Sequence, residues 1–362
     1  MSTISTGASM AGDTVSGGGR RSRTTDAKLS EIGFDESAPL LEVEDLRVEF
    51  RTRDGVASAV NGTSFSVDAG QTLGILGESG CGKSVTAQAI MGILDSPPAF
   101  IAGGSVKLRG VDLLSLPEES RRRVRANRVA MVFQDALSSL NPVFTVGRQL
   151  GELFRRHRGY TKAEARAEAV RLLDLVGIPA AADRVSDFPH QFSGGMRQRV
   201  MIAMSLALDP DVLIADEPTT ALDVTVQAQI MKLLADLQAE RNMGLILITH
   251  DMGVVADVAD KICVMYAGKI VERADVYSIY RNPAHPYTKA LLESIPRLDR
   301  KGQQLASIEG LPPMLTRLPA GCSFNPRCAI ARERCTTDEP PLYDIGGGRQ
   351  TACHYHEEVL GS

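Results

Sequence analysis

The sequence predicts an α/β fold in which a mostly parallel sheet carries a phosphate-binding loop. Three observations predict it. The first is Gly77-Glu78-Ser79-Gly80-Cys81-Gly82-Lys83-Ser84, which has the spacing G-x-x-x-x-G-K-S. Before it, Thr72 to Leu76 is short and mostly apolar, as a buried strand is; after it, Val85 to Leu94 reads as a helix. The second is an alternation of apolar strands with a helical stretch: Val212 to Ala215, Val224 to Arg241, Leu245 to Thr249 and Ile262 to Tyr266. Strands and helices in turn imply a covered, mostly parallel sheet. The third is the polar residues at the strand ends, Asp216-Glu217 and His250. Such sheets bind ligands at their carboxyl edges.

Composition narrows the class. At 362 residues the chain has room for one large domain with an appendage, or for two domains. A hydrophobic content of 43 % is that of a globular protein with a real core. A net charge of −4 argues against a general nucleic-acid binder. The richest apolar stretch, Val200 to Leu208, is far shorter than the roughly 18 residues a membrane span needs, so no transmembrane helix is expected. No apolar run follows the first arginines, so no signal peptide is expected. The six cysteines then read as thiols or metal ligands rather than disulfides. Residues 1–38 are rich in Ser, Thr, Gly and Arg and read as a disordered tail.

The front of the chain has its own texture. Leu41 to Val43 and Leu46 to Phe50 alternate apolar and polar residues. The phase slips at Glu44-Asp45, which predicts a bulge between two half-strands. Phe65 to Val67 and Val106 to Leu108 are further short alternating strands, so this section reads as antiparallel. Arg121 to Arg128 reads as the solvated face of a basic helix, and Val129 to Phe133 as a strand ended by Gln134-Asp135. From Leu137 to about Gln191 the texture is helical. Thr161 and Glu164 form a capping box, and Gly177 is a plausible helix stop. After about Arg281, prolines and cysteines become frequent and helical periodicity weakens, which marks a C-terminal extension.

The chemistry follows from residue type and place. The loop glycines let backbone N–H groups wrap a phosphate chain at a helix N-terminus. Lys83 would reach the β- and γ-phosphates, and the Ser84 hydroxyl would ligate Mg²⁺. Asp216 is placed to hold Mg²⁺, directly or through water, which leaves Glu217 to polarise a water for in-line attack. Ser193-Gly194-Gly195 opens a helix starting near Met196 and is a second anion cradle. Two cradles imply two phosphate ligands, or one nucleotide shared between two chains.

In this order the segments resemble the ATP-binding-cassette (ABC) ATPases over roughly residues 40 to 280. The resemblance implies a P-loop NTPase (RecA-like) core with an antiparallel β subdomain and a helical subdomain. It makes Phe50 the adenine-stacking aromatic, and Gly77, Glu78, Ser79, Gly80, Cys81, Gly82, Lys83, Ser84 and Val85 the nucleotide loop. Gln134 becomes the glutamine that contacts Mg²⁺ and the attacking water. Ser193, Gly194 and Gly195 become the signature that closes on ATP from the partner subunit. Asp216 becomes the Mg²⁺ carboxylate, Glu217 the catalytic glutamate, Ala221-Leu222-Asp223 the D-loop and His250 the switch histidine. The signature reads Phe192-Ser-Gly-Gly-Met196, where the commonest family form is Leu-Ser-Gly-Gly-Gln. Together with Phe133 to Pro142 and Asn282 to Thr288, it is similar to the D-type ATPase of dipeptide/oligopeptide importers; related importers carry nickel.

That resemblance implies a peripheral protein on the cytoplasmic face of the cell membrane. Its partners would be a second, F-type cassette, two transmembrane permeases and an extracellular substrate-binding protein, with no nucleic acid. The expected division is a tail over 1–38, a nucleotide-binding domain over 39–280 with its helical subdomain at about 137–191, and an extension over 281–362. A soluble ABC ATPase outside transport is the reading from another class.

Cys322, Cys328, Cys335 and Cys353 lie in a Pro- and Gly-rich stretch too short for a sizeable core, so a metal staple is plausible. Their spacing is wider than the paired cysteines of common zinc sites. An iron–sulfur cluster accepts irregular spacing, and the subfamily resemblance favours a four-iron four-sulfur cluster. Zinc, with His354 or His356, and four free thiols are the alternatives. Distance in sequence from the nucleotide loop suggests a structural role for this site. Cys263 reads as a core residue, and Cys81 as a loop residue whose backbone makes the contacts.

Overall fold

A computed structural model describes residues 31–53, 55–135, 139–220, 222–295 and 308–361. In chain order its strands are β1 (Leu41–Thr52), β2 (Gly55–Val67), β3 (Thr72–Leu76), β4 (Ala99–Leu108), β5 (Val111–Asp112) and β6 (Val129–Val132). They continue as β7 (Val212–Asp216), β8 (Gly244–Thr249), β9 (Lys261–Tyr266), β10 (Lys269–Asp275), β11 (Tyr343–Asp344) and β12 (Gln350–Thr351). Two sheets result. The front sheet has the order β2-β1-β4-β5 and its pairings are antiparallel. The main sheet has the order β11-β12-β10-β9-β3-β8-β7-β6. Its body, from β9 through β6, is parallel.

The main sheet explains the continuous apolar strands. β3, β7 and β8 are buried at every residue, because helices or the front sheet cover both faces. Two apolar cores flank it. One packs Ile75, Ile214 and Ile248 under the front sheet and the helix Lys83–Met91. The other packs Leu76, Leu213 and Leu247 against the helices Gly194–Leu206 and Val224–Arg241. Alternate residues of one strand thus serve opposite layers.

The phase slip expected at Glu44-Asp45 is a bulge inside one strand. The register of β1 shifts between Val43 and Leu46, and Asp45 takes a φ of 45°. The helical segment follows as Val146–Arg158 and Lys162–Leu175 with two short helical turns, although residues 136–138 at its start lie outside the described ones. The capping box forms: Thr161 Oγ1 accepts from the Glu164 N–H and the Glu164 carboxylate accepts from the Thr161 N–H at 2.8 Å. Arg122, Arg123 and Arg125 pair with Glu118 or Glu119 across one solvent-facing helix.

The tail expected over 1–38 falls mostly on residues 1–30, outside the described ones. Residues 31–38 pack on the front of the protein. Ile32 and Phe34 touch the core, and the Asp35 N–H donates to the Arg109 carbonyl at 2.9 Å.

The extension is continuous with the sheet. Its β12 pairs antiparallel with β10 through Glu272↔Thr351, and β11 adds the edge. Sequence periodicity did not show these strands because each has only two residues. Phe324 of the extension packs its ring 5.2 Å from Tyr266 and 5.3 Å from Tyr287. Tyr266 and Tyr287 are among the largest fully buried side chains of the protein.

Candidate functional site

The loop between β3 and the helix Lys83–Met91 has the backbone its glycines demand. Gly77 has φ 152°, and a Cβ there would stand 2.2 Å from the Met265 carbonyl oxygen. Gly82 caps the helix at φ 106°, and a Cβ there would stand 2.2 Å from the Ala59 carbonyl oxygen. Only glycine fits both the angle and the approach. Lys83 is buried, and its Nζ donates to the Gly77 carbonyl at 2.8 Å and the Glu78 carbonyl at 3.0 Å. Cys81 packs beneath the loop, and burial pushes its thiol up. Its side chain thus belongs to the core.

β7 and β8 bring the acidic and histidine side chains to this loop. The Ser84 hydroxyl donates to Asp216 Oδ1 at 3.0 Å. Asp216 is buried, and desolvation raises its pKa against the opposing pull of Ser84. A buried carboxylate beside a hydroxyl, with an oxygen-only donor set, fits a hard divalent cation such as Mg²⁺. Glu217 lies one residue further, with a φ of 45°. A left-handed glutamate is strained backbone, and such strain collects at functional sites. Its N–H donates to the Ile248 carbonyl at 2.8 Å, which fixes the turn to β8. Its Oε2 accepts from Gln134 Nε2 at 3.1 Å and from Thr220 Oγ1 at 2.9 Å, and its Oε1 stands 3.3 Å from His250 Nδ1.

A cavity of about 480 Å³ joins these parts. Glu78, Ser79, Gly80, Gly82, Lys83, Ser84 and Val85 line one side, Gln134, Glu217 and His250 another, with Ala59 and Leu315 at its edge. Phe50 is not on this lining; it is half-buried and packs on the front core. Ser193 and Gly194 are exposed and stand outside the cavity. Ser193 caps its helix, its Oγ accepting from the Met196 N–H. Asp223 likewise caps the helix Val224–Arg241 by accepting from the Val226 N–H at 3.0 Å. Ala221, named with it, lies outside the described residues.

A covered parallel sheet, a glycine-built loop and an Asp-Glu pair at the end of the strand one removed from it define a nucleotide hydrolase site. The ABC transporter family matches over residues 60–220, and the oligopeptide/dipeptide transporter C-terminal region over residues 271–335. The chain is 53 % identical to the oligopeptide transport ATP-binding protein OppD of Salmonella typhimurium, over 92 % of this chain and 99 % of that one. This chain belongs to the ABC transporter ATP-binding proteins. OppD of Escherichia coli is 52 % identical over 91 % of this chain and 97 % of its own length. Among solved structures, the dimeric bacterial ABC transporter cassette MJ0796 superposes with a TM-score of 0.59 at 25 % identity. It covers 65 % of this chain and 98 % of that cassette. As an ABC ATPase, the protein binds ATP with Mg²⁺ and hydrolyses it.

Three contributors were not legible beforehand. Thr220 fixes Glu217 from the same turn. Leu315 reaches the cavity edge from the extension, its carbonyl accepting from the Ser58 N–H at 3.2 Å. Arg327 makes a two-pronged ion pair with Glu78, Nη1 to Oε2 at 2.6 Å and Nη2 to Oε1 at 2.9 Å. No local signal links two residues 249 positions apart.

The four tail cysteines line one small cavity between Phe324, Pro340 and Tyr355. Burial raises the thiols of Cys322 and Cys328, and it pushes Cys353 up to about 12. The all-thiol donor set suits a thiolate-bound group. Among the described residues, however, no three His, Cys, Asp or Glu side chains are gathered as ligands of one ion are. Both His354 ring nitrogens have partners, Tyr343 Oη and the Asp338 carbonyl, each at 3.0 Å. His354 is therefore not free to serve the zinc alternative. The cysteines are distant from the nucleotide loop in sequence, but Arg327, the neighbour of Cys328, grips Glu78 in that loop.

Proposed function

We propose that this chain is one of two unlike cassettes that power a membrane importer of dipeptides or oligopeptides. The observation that carries the reading is the Glu217 carboxylate, held between Gln134, Thr220 and His250 and facing the same cavity as Lys83 and Ser84. The cargo class rests on the relatives, whose names describe oligopeptide transport ATP-binding proteins.

Lys83 and the loop N–H groups bind the β- and γ-phosphates of ATP. Ser84 and Asp216, with Gln134, hold Mg²⁺, which neutralises phosphate charge when bound. Glu217 orients a water in line with the γ-phosphate and takes its proton. His250 senses the γ-phosphate from the end of β8. Phe50, packed on the front core outside the cavity lining, is the candidate to stack on the adenine. Ser193 and Gly194, exposed outside the cavity, serve the site of the facing cassette together with half-buried Gly195, and Asp223 lies at the seam between the two. The partners are an F-type cassette, two permeases and an external binding protein, with this chain at the cytoplasmic face of the membrane. The thiolates of Cys322, Cys328, Cys335 and Cys353 would hold a four-iron four-sulfur cluster, with zinc as the alternative.

Uptake by host cells lacking the chain tests the cargo. Labelled oligopeptides should fail to enter, while nickel uptake persists. Loss of nickel uptake alone would move the chain to the nickel branch, and loss of neither would point to an ATPase outside import.

A further inference from the structure

The loop residue Glu78 poses an electrostatic problem. It lines the nucleotide cavity with a carboxylate, where a phosphate chain brings several more negative charges. Like charges at such range in a partly desolvated site weaken binding. Arg327 faces that carboxylate with both terminal nitrogens. Its side chain is 4 % exposed and that of Glu78 25 %.

The rest of the Arg327 guanidinium is tied down as well. Nε donates to the Glu309 carbonyl at 3.0 Å and Nη2 also to the Ile308 carbonyl at 3.4 Å. Its guanidinium carbon lies 5.8 Å from the centre of the Tyr266 ring and 6.0 Å from that of Phe324. A second group of the protein body holds the same loop residue: the Glu78 N–H donates to Tyr287 Oη at 2.9 Å. The Glu78 carbonyl, in turn, accepts from Lys83 Nζ. Glu78 therefore sits at the crossing of the extension, the buried tyrosine and the phosphate-binding lysine.

We propose that Arg327 is a positioning residue for ATP binding: it neutralises and orients Glu78, so that the extension forms part of the phosphate loop's fixed shape. A fork of five donors suits this task, because two prongs fix both the place and the plane of the carboxylate. Without it, the carboxylate is free to swing towards the phosphates. The inference concerns the ATP site alone and does not depend on the cargo.

The test is the affinity of the full-length chain for the fluorescent nucleotide MANT-ATP with Mg²⁺, in four forms. Arg327→Ala should weaken binding by about tenfold. Glu78→Gln alone sets the reference affinity, and adding Glu78→Gln to Arg327→Ala should raise binding from the level of the single arginine variant to about that reference. Restoration is the decisive readout, because an arginine that only supports the fold of the extension would not be rescued by removing the charge on the phosphate loop. Unchanged affinity in Arg327→Ala, or a double variant as weak as the single one, would overturn the proposal. Should Arg327→Ala fail to fold, Arg327→Met keeps an unbranched stem of similar length and carries the same comparison.

Discussion

Glu217→Gln should keep ATP binding and remove turnover. The substitution preserves volume, and an amide oxygen can still accept from Gln134 and Thr220, which lie 3.1 and 2.9 Å from Glu217 Oε2. The other atom then becomes an amide nitrogen facing His250, where the carboxylate had an oxygen 3.3 Å away. The side chain keeps its place and loses the basic oxygen a water needs. Loss of a positioned general base costs about 10²–10⁴-fold, or roughly 3 to 5 kcal/mol of barrier. The assay is ATP hydrolysis by the assembled complex, with the partner cassette's own nucleotide site disabled, beside an equilibrium measurement of ATP binding. Turnover within a few-fold of the wild type would refute the role of Glu217.

Four further outcomes are expected. Lys83→Ala should weaken ATP binding itself, because Nζ is the phosphate-reaching group; unchanged affinity in a nucleotide titration would count against the loop. The chain purified alone should be a poor ATPase, because Ser193 and Gly194 stand outside its own cavity; robust turnover by a strictly monomeric preparation would contradict a shared site. Buried His285, with its pKa pushed down to about 3 by desolvation, binds no proton in the folded state until well below the unfolded value of 6.5. Its contribution is therefore complete above pH 6.5 and falls by about 1.4 kcal/mol per pH unit as pH drops towards 3. Glu272, raised by burial, acts in the opposite sense, so the comparison is the pH slope of thermal unfolding with His285→Asn, which should be flatter by about one proton; identical slopes would refute it. Anaerobically purified protein should contain iron and acid-labile sulfide, and Cys328→Ser should remove them and lower stability. Zinc without iron would install the alternative, and no metal would leave four thiols.

Much of the cassette was legible because its signals are local. The nucleotide loop needs glycine at Gly77 and Gly82 for backbone reasons that leave no substitute, so the motif is written in adjacent residues. Strands buried on both faces, such as Val212–Asp216, announce themselves as unbroken apolar runs. The helix Val224–Arg241 was likewise readable from its pattern. The extension was less legible. Its strands are two residues long, and its order comes from pairing with Glu272 and from Phe324 packing on Tyr266 and Tyr287. Such contacts join residues far apart in the chain and leave no periodicity. Phe50 shows the same limit in reverse: a motif position identifies it, yet its side chain packs on the front core rather than on the cavity.

The central claim is that ATP hydrolysis at Glu217 drives peptide across a membrane. The direct measurement is labelled oligopeptide uptake into vesicles carrying the permeases, both cassettes and the loaded binding protein, with ATP on the cassette side. Uptake should require ATP and Mg²⁺ and should collapse with Glu217→Gln while the complex stays assembled. Peptide uptake that proceeds equally with Glu217→Gln, or without ATP, would contradict the account.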